Sequence, residues 1–228
     1  MGADSLRGYV ICTQARTGST FLCEVLASTG VLGQPTEYFN TEGLRIGTPD
    51  YPDDPAAQLE QIVTAGATPN GVYGLKIMPH HFDRVAQTKW AERLPSLSFV
   101  SLVRLDLLSQ AISAVRATQT QQWVAGNPAK GEPAYDRGAI EEQLQWFLEE
   151  RTRWSRYFAR NGMPVLHLFY EQLVRAPQSA ADAIAQLLGL PERPMVDLGK
   201  VASVVQSDDL NREWRDRFVR ESRDLAAF

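Results

Sequence analysis

Tyr9-Val10-Ile11-Cys12-Thr13-Gln14-Ala15-Arg16-Thr17-Gly18-Ser19-Thr20-Phe21-Leu22-Cys23-Glu24-Val25-Leu26 is the stretch whose reading decides the fold. It opens with a β-rich run from Tyr9 to Thr13, passes through a turn of small polar residues, and continues as an apolar helical segment that breaks off at Gly30. Strand, loop, helix is the reading. A strand that feeds directly into such a turn makes an anion site, because the free N–H groups of the first helical turn converge with the positive end of the helix dipole. Gly18 lets the backbone approach a ligand closely, and Ser19 and Thr20 add hydroxyl donors. A Walker A loop would need glycine where Thr13 stands and lysine where Ser19 stands, so this is not a standard ATPase or GTPase loop. An ordinary turn capped by Ser19 or Thr20 accounts for the same residues except Arg16. A guanidinium inside the turn is badly placed for packing and well placed to meet an anionic group.

The strand–helix alternation continues outward from this unit. Residues 72–77 and 97–103 read as strands, with a helix expected over 82–94 between them and another over 107–123. Ile140, Leu144, Phe147, Trp154 and Phe158 keep helical spacing, which predicts a long helix over 137–160. Trp146 and Trp154 are read as core residues of that helix. A buried strand is expected over 164–169, a helix over 180–188 and a charged terminal helix over 211–223. Such alternation argues for an α/β fold, a central parallel sheet flanked by helices. Residues 41–70 carry Pro49, Pro52, Pro55 and Pro69 and read as an insertion with one helix near 56–65, while 125–133 is a Gly/Pro-rich loop. In an open parallel sheet, ligands gather at the carboxyl ends of the strands, so both segments border the expected site.

Composition narrows the function. A chain of 228 residues with 44% hydrophobic and 22% charged residues is read as one domain over 1–228. Formal net charge is -4 and the 23 basic residues form no single run, which speaks against nucleic acid and for a small or neutral partner. The start lacks a signal-peptide pattern and no stretch approaches the roughly 18 apolar residues of a membrane span, so a cytoplasmic protein is expected. Cys12 and Cys23 form no CxxC pair and are read as buried thiols, not metal ligands.

The loop Gln14-Ala15-Arg16-Thr17-Gly18-Ser19-Thr20 after a strand resembles the 5'-phosphosulfate loop of sulfotransferases, and is most similar to the Stf0 type, in which an arginine stands where many others have lysine. The similarity continues through Gly33-Gln34-Pro35-Thr36-Glu37-Tyr38-Phe39, residues 68–78, Arg104 with Ser109-Gln110-Ala111 and Ser113, Gln119-Thr120 with Trp123, Tyr170-Glu171-Gln172-Leu173-Val174 with Pro177, and Glu213-Trp214 with Asp216-Arg217-Phe218. The resemblance implies the nucleotide-kinase-like sulfotransferase fold, with 3'-phosphoadenosine 5'-phosphosulfate (PAPS) as donor and its 3',5'-bisphosphate (PAP) as product. Arg16, Thr17, Gly18, Ser19 and Thr20 would hold the 5' end, with Arg104 and Ser113 at the 3'-phosphate. On the residues alone, Arg104 could equally cap a strand end and the serines lie on a solvated face.

Sulfuryl transfer needs in-line placement, stabilised oxygen charge and removal of the acceptor proton. No metal is required, since Arg16 and backbone donors can take the role of Mg²⁺ in kinases. Glu37 is the candidate base, as the resemblance also implies. Lys76 is a candidate for the transferring group, or a structural lysine whose head reaches solvent. His80 and His81 are alternative bases or, with Tyr38 and Trp123, acceptor-binding residues. The expected acceptor is a carbohydrate, glycolipid or glycosylated-metabolite hydroxyl. Competing expectations are a P-loop small-molecule kinase and a non-catalytic nucleotide- or sugar-binding module. The family contains dimers, and the long middle helix offers a homodimer interface.

Overall fold

Strand β1 (Arg7–Cys12) runs through the interior of a parallel four-stranded sheet of order β2-β1-β3-β4. The computed structural model describes residues 6–40, 52–123, 128–203 and 209–222. After β1 come α1 (Ser19–Ser28), α2 (Pro55–Thr64), β2 (Val72–Ile77), α3 (Pro79–Val85), α4 (Trp90–Arg93), β3 (Leu97–Val103) and α5 (Leu107–Thr120). The chain continues through α6 (Arg137–Asn161), β4 (Val165–Phe169), α7 (Tyr170–Arg175), α8 (Pro177–Leu187) and α9 (Asp209–Ser222).

Side chains alternate across the strands, so each face of the sheet builds its own core. Tyr9, Ile11, Val100 and Leu102 pack with Leu22 and Leu26 of α1 and Ile184 of α8. Val10, Cys12, Leu75, Ile77 and Phe99 face the other way, onto Ile62 of α2, Trp90 of α4, and Trp154 and Phe158 of α6. A third cluster joins Ile112 and Val115 of α5 to Phe147 of α6 and Trp214 and Phe218 of α9. The parallel α/β architecture expected from the alternation is thus the observed one. Both cysteines are free and buried.

The insertion helix falls at α2, started by Pro55 at its first position and by the Asp54 carboxylate accepting from the Ala57 N–H at 2.9 Å. The expectations for 41–51 and 124–127 lie outside the described residues. Among the described residues no helix is long and apolar enough to cross a membrane.

Three expectations are corrected. The single helix over 82–94 is broken, because Lys89 adopts a left-handed conformation (φ 52) between α3 with its short 3₁₀ extension and α4. β4 is not a buried strand but the last strand of the sheet, half-buried and with His167 exposed. Trp146 is not core: Phe147, Trp154 and Phe158 occupy the inward stripe of α6, leaving Trp146 50% exposed.

Candidate active site

The loop after β1 is held by its carbonyls. Thr13 Oγ1 sits 2.6 Å from Thr17 Oγ1 and donates to the Leu102 carbonyl at 3.1 Å, while Thr17 Oγ1 donates to the Gln14 carbonyl at 2.9 Å. Trp154 Nε1 donates to the Thr13 carbonyl (3.0 Å), Gln110 Nε2 to that of Ala15 (2.8 Å), and Gln14 Nε2 in turn to that of Phe147 (2.6 Å). The start of α1 is different. Its N-cap is Gly18 at φ 76, and no side chain caps it. Ser19 and Thr20 are the first helical residues and not its caps, so the plain capping explanation fails and the dipole end stays available to an anion. A Cβ on Gly18 would stand 2.5 Å from the Tyr170 ring, so glycine is what lets that ring lie against the loop.

The strand order places different chemistry on either side of this loop. On the β2 side, Lys76 Nζ lies 2.7 Å from Glu37 Oε1 and 3.3 Å from Thr20 Oγ1. Glu37 Oε2 accepts from Asn40 Nδ2 at 2.7 Å. The segment carrying Glu37 runs beside β2, where the Lys76 N–H donates to the Thr36 carbonyl at 2.9 Å. Burial pushes the Glu37 carboxyl up, but the charge and hydrogen bond of Lys76, with the Asn40 amide, reverse this and hold it below the usual carboxylate range. Lys76 does not reach solvent; the Lys76 and Glu37 side chains are 5% and 11% exposed. His81, buried beside them, has its pKa lowered to about 4 by burial and by neighbouring His80, and among the described residues its Nδ1 has no hydrogen-bond partner.

On the β3 side, Arg16 at φ 61 sends Nε to Ser113 Oγ (2.9 Å) and Nη1 to the Trp123 carbonyl (2.6 Å). Arg104 Nη1 donates to the Arg16 carbonyl at 3.3 Å, and its guanidinium stacks 4.6 Å from the Tyr170 ring centroid. Arg104 Nε is buried without an acceptor among the described residues. Burial, then the nearby Arg104 charge, lowers the Arg16 pKa.

The structure therefore brings Arg16, Gly18, Ser19, Thr20, Glu37, Lys76, Arg104 and Ser113 around one loop. Thr17 is there through its backbone, its side chain being fully buried. Ser109 is not part of the cluster: its hydroxyl donates to Asp106, the cap of α5, at 2.8 Å and accepts from Arg215 at 3.0 Å. Tyr38 is also withdrawn, at 3% exposure in the core with its hydroxyl on the Gln34 carbonyl. His80 is exposed beside Glu150, and Trp123 is 46% exposed. Asn40 and Tyr170 were not singled out from the sequence as site residues. Tyr170 follows the end of β4 as Arg104 follows β3, which is the signal that was there to use.

Removing one partner of the buried pair leaves a desolvated charge. Lys76→Met is expected to cost about 3 kcal/mol of stability. With burial then unopposed by the ammonium, Glu37 should also titrate above the usual carboxylate range. Denaturant unfolding of both proteins checks the first point; a loss below about 1 kcal/mol is the value for an exposed pair and would reject it.

Comparison with known proteins gives the family. The Stf0 sulphotransferase family model matches residues 8–221. The trehalose 2-sulfotransferase of Mycobacterium tuberculosis is 30% identical over 268 aligned positions, covering 96% of each chain. The enzyme of the same name from Mycolicibacterium smegmatis is 27% identical, with 96% of this chain and 97% of that one covered. A solved sulfotransferase domain from the curacin biosynthetic pathway superposes with a TM-score of 0.55 at 14% identity, covering 95% of this chain and 97% of its own; at that identity it shows the fold alone. By family model and near full-length relatives alike, the chain belongs to the Stf0 sulphotransferase family.

Proposed function

We propose that the chain, acting as one unit, transfers the sulfuryl group of PAPS to a hydroxyl of a carbohydrate, glycolipid or glycosylated metabolite. The observation that carries the reading is the division of the loop's surroundings: a carboxylate–ammonium pair on the β2 side and paired guanidinium groups on the β3 side of an uncapped helix start. The donor's two phosphates ask for such a layout. The buried Arg104 Nε lacks an acceptor, which fits a 3'-phosphate held with Ser113. The N–H groups at Gly18 to Thr20 and the Arg16 charge fit the 5' end. The sugar-sulfating relatives support a sugar acceptor.

The step is an in-line displacement. The acceptor oxygen forms a bond to sulfur, the bond from sulfur to the 5'-phosphate oxygen breaks, and the acceptor proton passes to Glu37. An ion-paired carboxylate is a weak base. Lys76, however, is shared with Thr20 on the loop, so its ammonium can shift toward charge developing on the leaving oxygen and return basicity to Glu37.

Calorimetry tests the donor assignment. PAP should bind at least tenfold tighter than AMP, about 1.4 kcal/mol for the 3'-phosphate contacts. ATP binding as tight as PAP would turn the reading to a P-loop kinase.

A further inference from the structure

A cleft of about 420 Å³ opens between α6 and the β3–β4 side of the sheet. Ser101, Arg151, Trp154, Phe158 and His167 are among its walls, with Thr13 and Gln14 at the start of the loop after β1, whereas Glu37, Lys76, Arg104, Ser113 and Tyr170 are not. Parallel register sets Ser101 directly beside His167. Two residues earlier on each strand, Phe99 and Val165 pack in the core with Trp154 and Phe158, so Ser101 and His167 share the face that α6 covers. Because β4 is the last strand of the sheet, this end of that face stays open.

Part of the polar lining of the cleft is unused. Among the described residues neither the Ser101 hydroxyl nor the His167 imidazole makes a hydrogen bond, and no carboxylate pairs with Arg151. Arg151 Nε is buried with no acceptor. Glu171, whose charge is felt at Arg151, spends its oxygens on the Leu105 and Asp106 N–H groups at 3.0 and 3.2 Å. A partly desolvated guanidinium with no carboxylate in contact gains from a ligand that brings one. Apolar walls with a few convergent polar groups, at this volume, suit a small organic ligand.

We propose that this cleft binds a small amphipathic carboxylate, its anionic head on Arg151 with Ser101 and His167, and its apolar body against Trp154 and Phe158. The site is coupled to the donor loop. Arg151 Nη2 donates to the Arg104 carbonyl at 2.8 Å and Trp154 Nε1 to the Thr13 carbonyl at 3.0 Å, so a ligand that moves either side chain shifts the groups around the donor. Only this coupling rests on the PAPS reading.

Phenylacetate is a suitable probe, with neutral phenylacetamide as control, each titrated calorimetrically into the intact protein with and without PAP. Phenylacetate should bind at least tenfold tighter than the amide, and should still bind the PAP-saturated protein with its affinity changed several-fold. Ser155→Trp, at an exposed α6 position lining the cleft, should abolish that binding and spare PAP. Arg151→Gln should weaken it at least tenfold, which keeps the test decisive if the tryptophan variant misfolds. No phenylacetate binding up to about 10 mM, equal binding of the amide, displacement by PAP, or no response to either substitution overturns the proposal. Loss of PAP binding with phenylacetate binding intact would sink the donor assignment alone.

Discussion

Glu37→Gln is expected to lower kcat by about three orders of magnitude while PAP affinity stays within about threefold, the result of losing a general base outside the nucleotide contacts. Glutamine keeps the shape and can still accept from Asn40, but it cannot take the acceptor proton. It also leaves the Lys76 ammonium without its carboxylate 2.7 Å away, so the variant should unfold more easily than the parent. PAP calorimetry on the same preparation shows whether the donor site has survived. Turnover within about tenfold of the parent would remove Glu37 as base. The pH profile gives a second readout. A carboxylate whose pKa is depressed keeps its charge as pH falls until that lowered value is crossed. The acid limb of the parent should therefore lie below the ordinary glutamate value of about 4.3, and in Lys76→Met it should move above it.

Arg16→Asn is expected to raise the PAP dissociation constant about a hundredfold and to lower kcat/KM by at least as much. Asparagine tolerates the left-handed backbone at φ 61, so the loop itself is expected to persist. What goes is the charge proposed for the 5' end and the links to Ser113 and the Trp123 carbonyl that tie loop, α5 and the following segment together. Arg16→Lys should recover only part of the affinity, because one ammonium cannot replace a planar fork with donors at both Nε and Nη1. Calorimetry with PAP and initial rates with PAPS measure both effects. PAP affinity within threefold of the parent in Arg16→Asn would show that the arginine only braces the loop.

Much of this site was legible in the chain. The change from β-run to small-residue turn to helix at Gly18 located the loop, and Arg16 marked it as more than a connection. Helical spacing from Ile140 to Phe158 foretold α6 almost to its ends. Misreadings fell where burial, not local pattern, decided. Trp146 looks like core by type, yet it stands off the inward stripe. A helix over 82–94 satisfied local propensity but not the turn at Lys89.

By itself the sequence determined the strand–loop–helix unit, the parallel α/β class and the residue types able to hold an anion, because those follow from forces between near neighbours along the chain. The tertiary structure alone decided that Lys76 faces Glu37 and Thr20, that Arg104 rests on Tyr170 and holds the Arg16 carbonyl, and that Arg151, in the cleft under α6, donates to the Arg104 carbonyl. Those contacts join residues far apart in the chain. They depend on the order β2-β1-β3-β4, which sets β2 on one side of the loop and β3 on the other and which no local periodicity encodes.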